Sequence, residues 1–143
     1  MAHPEFAQKL LTLILQWEAA SMPLQPGASP FAISAAEALI GYRFEDDFRA
    51  YLAAVNGSGQ ELDAEMFAFW SLDEIRANNT SGYYPTDHVW FADYFMNIFS
   101  YGFSRADGGI YIALEGKRVI DRLTGSFAGF LDLYLEDPFL LQR

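Results

Sequence analysis

The first 20 residues alternate between hydrophobic and polar positions with the period of an α-helix. The apolar side chains that recur three and four positions apart are Phe6, Leu10, Leu13, Ile14 and Trp17. They fall on one face of a helix predicted from Pro4 to about Ala20, with proline suited to its first turn. The N-terminal helix therefore occupies residues 1–21. The stretch 22–33, which contains three prolines and a glycine, predicts a surface linker.

Two shorter helices are predicted next. Ser34 and Glu37 have the spacing of a capping box, in which each side chain satisfies a free backbone N–H of the first turn, so a helix should begin at Ser34 and end at Gly41. A third helix should end near Gly57, because glycine readily adopts the left-handed conformation that closes helices. The residues expected on its buried face are Phe48, Tyr51, Leu52 and Val55.

After Gly57 the pattern changes to short runs rich in aromatic and β-branched residues, which predict strands. The predicted strands are 66–70, 89–92, 97–103, 110–114 and 118–121, with hairpin turns at 107–109 and 115–117. A second capping box at Ser71 and Glu74 predicts a short helix to about Asn78, followed by a polar turn region over 79–87. A closing helix is expected from Ser126 to about Glu136, and its buried stripe should consist of Phe127, Phe130, Leu131, Tyr134 and Leu135.

This order of elements predicts the fold class. Helices, then successive hairpins, then a helix indicate an α+β fold: a largely antiparallel sheet of about four to six strands with helices packed on one face. A length of 143 residues is that of a single domain, and 52% apolar residues supply an ample core. We find no internal repeat or low-complexity segment.

Composition also suggests where the protein works. There is no cysteine, so neither a disulfide framework nor a thiolate site can form. The N-terminus lacks the basic region of a signal peptide, and no apolar run approaches the roughly 20 residues that a membrane span needs. We expect a cytoplasmic protein that does not bind membranes.

The net charge of −10 is concentrated in one part of the chain. Between Glu61 and Asp93, seven acidic residues and one basic residue, Arg76, leave six of the ten net negative charges in less than a quarter of the sequence. Such a surface repels nucleic acid, whose phosphates attract lysine and arginine, and would attract a basic partner. Charge alone does not distinguish this interpretation from an acidic surface that only aids solubility.

Few residues have the arrangement that catalysis requires. His88, with Asp87 and Asp93 nearby, is the best candidate for acid–base or metal chemistry, but the three lack a recognised ligand spacing, and we predict a solvent-facing His88 in a polar loop. Ser58 follows a helix, whereas a phosphate-binding or nucleophile loop precedes one. The adjacent acids, such as Asp46 and Asp47, do not share a helix face. We therefore expect no enzymatic activity, no cofactor and no metal.

Several segments, taken in order, resemble the SMI1/KNR4 (SUKH) family. They are Ala36–Gly41 and Phe48–Gly57 as helices, Phe69–Ile75 as a strand and short helix, Phe91–Tyr94 and Tyr101–Gly102 as central strands, and Ser126–Leu135 as the closing helix. The core of the resemblance spans 34–137. The family usually has a proline in the turn near Glu45, which this sequence lacks.

The resemblance implies a domain without a conserved enzymatic centre that binds protein partners. Many bacterial members are immunity proteins that neutralise a toxin of a polymorphic toxin system, often a basic nuclease-type toxin. The family also includes regulatory or scaffold modules without a toxin partner, and this alternative stays open, as does a small hydrolase or ligand-binding protein that uses His88. Trp70 and Trp90 could be core or interface. The predicted partner-binding residues are Glu61, Asp63, Glu65, Asp73, Glu74, Tyr83, Tyr84, Asp87 and Asp93.

Overall fold

The computed structural model describes residues 4–59 and 66–142. The helices are α1 (Pro4–Ala19), α2 (Pro30–Ile40), α3 (Asp46–Ala54), α4 (Leu72–Asn79) and α5 (Phe127–Glu136), followed by a 3-10 helix (Pro138–Leu141). The strands are β1 (Phe67–Phe69), β2 (His88–Tyr94), β3 (Phe99–Ser104), β4 (Ile110–Leu114) and β5 (Arg118–Thr124). This arrangement confirms the predicted α+β fold.

The strands form one antiparallel sheet in the order β1-β2-β3-β4-β5, so each strand pairs with its neighbours in sequence. The four strands β2 to β5 are joined by short hairpins, and both predicted turns, 107–109 and 115–117, lie between strands. Strand β5 is an edge strand whose pairing with β4 is interrupted at two places. Such irregularities discourage an edge from pairing with another chain.

The hydrophobic core lies between one face of this sheet and the helices α1, α3 and α5. At its centre, the Phe48 ring of α3 lies 4.8–5.5 Å from the rings of five other aromatic residues, measured between centroids: Phe44, Tyr51, Phe91, Phe103 and Phe127. The predicted stripe of α5 is confirmed at Phe127, Phe130, Leu131 and Tyr134, which are all buried, whereas Leu135 is half-buried. The Trp17 indole of α1 donates a hydrogen bond to the Tyr134 hydroxyl at 3.1 Å and ties the first helix to the last.

The predicted start of the second helix is wrong. Helix α2 begins at Pro30, inside the stretch 22–33 that we predicted as linker, and its N-cap is Ser29, whose side chain accepts a hydrogen bond from the Ala32 backbone N–H at 3.1 Å. Ser34 lies within the helix. The Glu37 carboxylate instead accepts from the Phe44 N–H at 2.8 Å and pairs with Arg49 at 3.3 Å, so it serves the connection to α3.

The predicted end of the third helix is also wrong. Helix α3 ends at Ala54, because Val55 adopts an extended conformation and forms a β-bridge with Pro26. Gly57 has the expected positive φ of 83° but lies beyond the helix, in the connection that reaches β1. The capping box at Ser71 and Glu74 is confirmed, and α4 extends to Asn79. No helix among the described residues has both the length and the apolar character to cross a membrane.

A candidate partner-binding surface

The first turn of α4 presents two of the predicted acidic residues in different ways. The Asp73 side chain is 88% exposed, and its nearest cation is the Arg76 guanidinium at 3.6 Å. The Glu74 carboxylate accepts the Ser71 N–H at 2.9 Å, and the Glu74 N–H donates to the Ser71 hydroxyl at 3.2 Å. Asp73 is therefore available to a partner, whereas Glu74 also holds the start of the helix. Both line a surface groove together with Gln25, Gly59 and Ser71.

The loop between α4 and β2 covers part of the sheet face opposite the helices. Its Tyr84 ring lies 5.5 Å from Trp70 and 5.8 Å from Trp90, and its hydroxyl donates to the Asn97 side-chain oxygen at 3.1 Å. A side chain at Gly116 would overlap this ring, since its Cβ would lie 2.4 Å from a Tyr84 carbon. Glycine in the β4–β5 turn thus makes room for the tyrosine.

Tyr83 lies on the outer side of Tyr84 and remains accessible. Its ring is 4.9 Å from that of Tyr84, its hydroxyl donates to the Glu115 carbonyl at 3.0 Å, and the Lys117 ammonium lies 5.0 Å from the ring centroid. The side chain is held in place while Tyr83 remains 46% exposed. Of these two predicted partner-binding tyrosines, Tyr83 is exposed and Tyr84 is half-buried.

Asp93 of β2 is a half-buried carboxylate inside this surface. Its Oδ2 accepts the Trp70 indole N–H at 2.6 Å, and its Oδ1 accepts the Asn97 backbone N–H at 3.3 Å. Burial raises the pKa of Asp93 above its ordinary value, although the two hydrogen bonds act in the opposite direction. Both carboxylate oxygens of Asp93 therefore accept hydrogen bonds, and the side chain holds Trp70 and Asn97 in place from the buried side of the surface.

His88 is the first residue of β2 and is buried, so the predicted solvent-facing position in a polar loop is wrong. Its ring stacks on Trp90 with centroids 5.4 Å apart and meets Tyr111 edge-on at 5.0 Å, which explains its burial. Its Nδ1 lies 3.0 Å from the exposed Asp87 carboxylate, and this hydrogen bond lowers the pKa of Asp87. Across residues 4–59 and 66–142, no cluster of three or more histidine, cysteine, aspartate or glutamate side chains could hold a metal ion.

The structure brings some of the predicted residues together. Tyr83, Tyr84 and Asp93 share one network on the outer face of the sheet, and Trp70 links this network to the start of α4 with Asp73 and Glu74. Asp87 lies at the far end of the same loop, beside His88. Glu61, Asp63 and Glu65 lie outside the described residues, and their part in the surface stays a prediction.

The sequence leaves the roles of Trp70 and Trp90 open and gives none to Asn97, and all three belong to this network. Trp70, whose role we had left open, is buried and holds Asp93, and the buried Trp90 indole donates to the Pro85 carbonyl at 3.0 Å, which anchors the loop. The Asn97 side-chain oxygen accepts from the hydroxyls of both Tyr84 and Ser100. The only signal in the sequence for this network was that the polar residues Asn97 and Ser100 lie among strand-forming aromatic residues.

Replacing Trp70 with phenylalanine should raise the pKa of Asp93 further. The change removes the indole N–H that favours the carboxylate and leaves the burial that disfavours it. Since the folded pKa is already raised, the contribution of Asp93 to stability is complete below about pH 3.8 and is lost as the pH rises through the folded pKa. The measurement is an NMR titration of the Asp93 carboxyl carbon.

Trp90→Phe is the matched control for that titration, because the Trp90 indole N–H donates to the Pro85 carbonyl and not to Asp93. The pKa of Asp93 should be the same in this variant as in the wild type. A Trp70→Phe variant with an unchanged or lowered Asp93 pKa would contradict the assigned hydrogen bond.

Comparison with known proteins agrees with this architecture. A search of curated proteins finds no match to the chain. The model of the SMI1 / KNR4 family (SUKH-1) matches residues 27–133, which include α2 to α4, the whole sheet and most of α5. That match covers well over half of the chain and contains all the predicted site residues. The protein therefore belongs to the SMI1 / KNR4 family (SUKH-1).

Proposed function

We propose that the protein is a non-enzymatic immunity protein that binds and neutralises a cognate toxin of a bacterial polymorphic toxin system. The observation that carries this proposal is membership of the SMI1 / KNR4 family over residues 27–133. The proposed toxin is basic and of nuclease type, because a nuclease needs a basic surface for its substrate and an acidic protein can cover that surface.

The distribution of charge supports this choice of partner. Acidic residues predominate from Glu61 to Asp93, and the exposed Asp73 and Asp87 lie at the two ends of the segment that runs from α4 through the loop to β2. Two of the nine basic residues, Arg118 and Arg122, lie on β5 at the opposite edge of the sheet from β1, whereas Lys117 of the same hairpin lies against the Tyr83 ring. The charge separation would orient a basic partner toward the acidic side.

The aromatic side chains beside these acidic residues suit protein recognition. Interfaces are enriched in tyrosine because a rigid ring buries a large area at a small cost in conformational entropy. Tyr83 has its hydroxyl fixed by the Glu115 carbonyl and is still exposed to solvent. It would contribute contact area in the loop that joins Asp73 of α4 to Asp87 before β2.

Purification of the tagged protein from the cells that make it, followed by mass spectrometry, tests the proposal. We expect a partner in one-to-one amount that carries a basic toxin domain. Recovery of a host regulatory protein as the one-to-one partner would contradict the immunity role. It would establish the alternative, a regulatory or scaffold module of the same fold. A preparation in which the protein stays alone even when the proteins encoded by the neighbouring genes are co-expressed would also contradict the immunity role.

A further inference from the structure

We propose that the turn between β2 and β3, residues Phe95 to Ile98, is a rigid hydrophobic anchor that inserts into an apolar pocket of the partner protein. The basic character of the partner rests on the proposed function. The new element is the part of the surface that would supply binding energy. The turn is called the β2–β3 tip below.

The backbone of the β2–β3 tip adopts a conformation that its residues disfavour. Phe95, Met96 and Asn97 have φ angles of 47°, 52° and 72°, all in the left-handed region. The Ile98 N–H donates to the Phe95 carbonyl at 3.3 Å, so Met96 and Asn97 are the central residues of the turn. Turns with positive φ at both central residues favour Asn-Gly, and neither phenylalanine nor methionine adopts this region readily.

A network of polar contacts keeps the turn in this conformation. Asp93 accepts the Asn97 N–H, and the Asn97 side chain accepts from Tyr84 and Ser100. On the other side, the Phe95 N–H donates to the Met66 carbonyl at 2.8 Å, and the Ile98 carbonyl accepts from Glu115 at 2.8 Å. Strained residues persist where the surrounding structure determines them, and they concentrate at binding sites.

The result is an exposed group of apolar side chains at one end of the sheet. Met96 is 75% exposed, and Phe95 and Ile98 are each about two-fifths exposed. Tyr83 adjoins them, because its hydroxyl bonds to Glu115, the residue that pairs with Ile98. A fixed turn loses little conformational entropy on binding, and methionine adapts its shape to a pocket.

Charge favours a basic protein over the other partners that could cover an apolar tip. A membrane with anionic lipids would repel a chain of net charge −10, and a second copy would bring two such charges together. The β2–β3 tip also adjoins the acidic surface, since Asp93 joins Asn97 to Trp70, the residue before the N-cap of α4. A basic protein with an apolar pocket fits both features at once.

Site-specific photo-crosslinking in the native cells tests the location of the contact. A benzophenone amino acid replaces Met96 in one variant and Phe31 in another; Phe31 is 84% exposed on α2 and serves as the control. We expect the probe at 96 to form an adduct with one protein, mapped to a peptide that lines an apolar pocket, and the probe at 31 to form none. An adduct with lipid, an adduct with a second copy or no adduct at 96 would overturn the proposal.

Met96→Gly then separates binding from folding. Glycine relieves the left-handed strain, so the variant should unfold about 3 °C higher than the wild type. Its affinity for the crosslinked protein, measured by calorimetry, should fall about 30-fold, as for a central interface residue, while Phe31→Ser should change it less than about threefold. Wild-type affinity in Met96→Gly would overturn the anchor.

These outcomes also separate the anchor from the proposed function. If the protein crosslinked at 96 is not a toxin, the immunity role is contradicted and the anchor stands. If a toxin binds Met96→Gly as tightly as it binds the wild type, the anchor is contradicted and the immunity role stands.

Discussion

Replacement of Phe48 by alanine is expected to lower the free energy of unfolding by about 4 kcal/mol, the largest effect on stability among the changes considered. The ring is completely buried in α3 and contacts aromatic rings from β2, β3 and α5. Removing it leaves a cavity that none of these rings can fill, because each is held by its own helix or strand. The helical layer and the sheet would both lose contacts at the same point.

Urea denaturation followed by circular dichroism measures this loss. Phe139→Ala is the control, because Phe139 in the C-terminal 3-10 helix is exposed, and its removal should change stability by less than about 0.5 kcal/mol. Equal effects of the two substitutions would contradict the central position of Phe48. A domain of this size has an expected stability of about 5–15 kcal/mol, so the variant should still fold at low temperature.

The second large effect concerns binding. Replacing Glu61, Glu65 and Asp73 with lysine should weaken the complex with the toxin about 100-fold at low salt, mainly through slower association. The difference should shrink as salt rises, because exposed charges are screened over a Debye length of about 10 Å at 0.1 M. Glu74 is left unchanged, because its carboxylate completes the capping box and its loss would destabilise α4.

The matched control reverses three acids on α1 and α5. Glu18, Asp132 and Glu136 are exposed, and their replacement by lysine changes the net charge by the same amount. This variant should bind the toxin within about threefold of the wild type, measured by calorimetry at two salt concentrations. If both triple variants lost affinity equally, total charge and not the acidic surface would attract the partner.

The sequence predicted those parts of the fold in which local signals agree with packing. Ser71 and Glu74 form the expected capping box, and the residues of α5 bury the expected stripe. The start of α2 was wrong because Ser34 and Glu37 imitate a capping box, whereas Ser29 followed by Pro30 provides a serine cap and a proline in the first turn. The two possible helix starts, Ser29 and Ser34, lie five residues apart, and only packing in the folded protein decides which one begins the helix.

The candidate site was harder to predict because its residues come from separate elements. His88 and Trp90 lie in a strand covered on both faces, by the core on one side and by the loop with Tyr84 on the other, so the alternation that marks exposure is missing. The conformation of Phe95 and Met96 has no local signal, because neither residue favours positive φ. The Asn97 hydrogen bonds that hold it depend on contacts with β2 and the loop.

Growth of cells that produce the co-purified toxin tests the central claim most directly. With the wild-type protein co-expressed, the cells should survive, and with the Glu61, Glu65 and Asp73 reversal at the same level they should lose most of that protection. Survival that is no better with the folded wild-type protein than without it would contradict the immunity role.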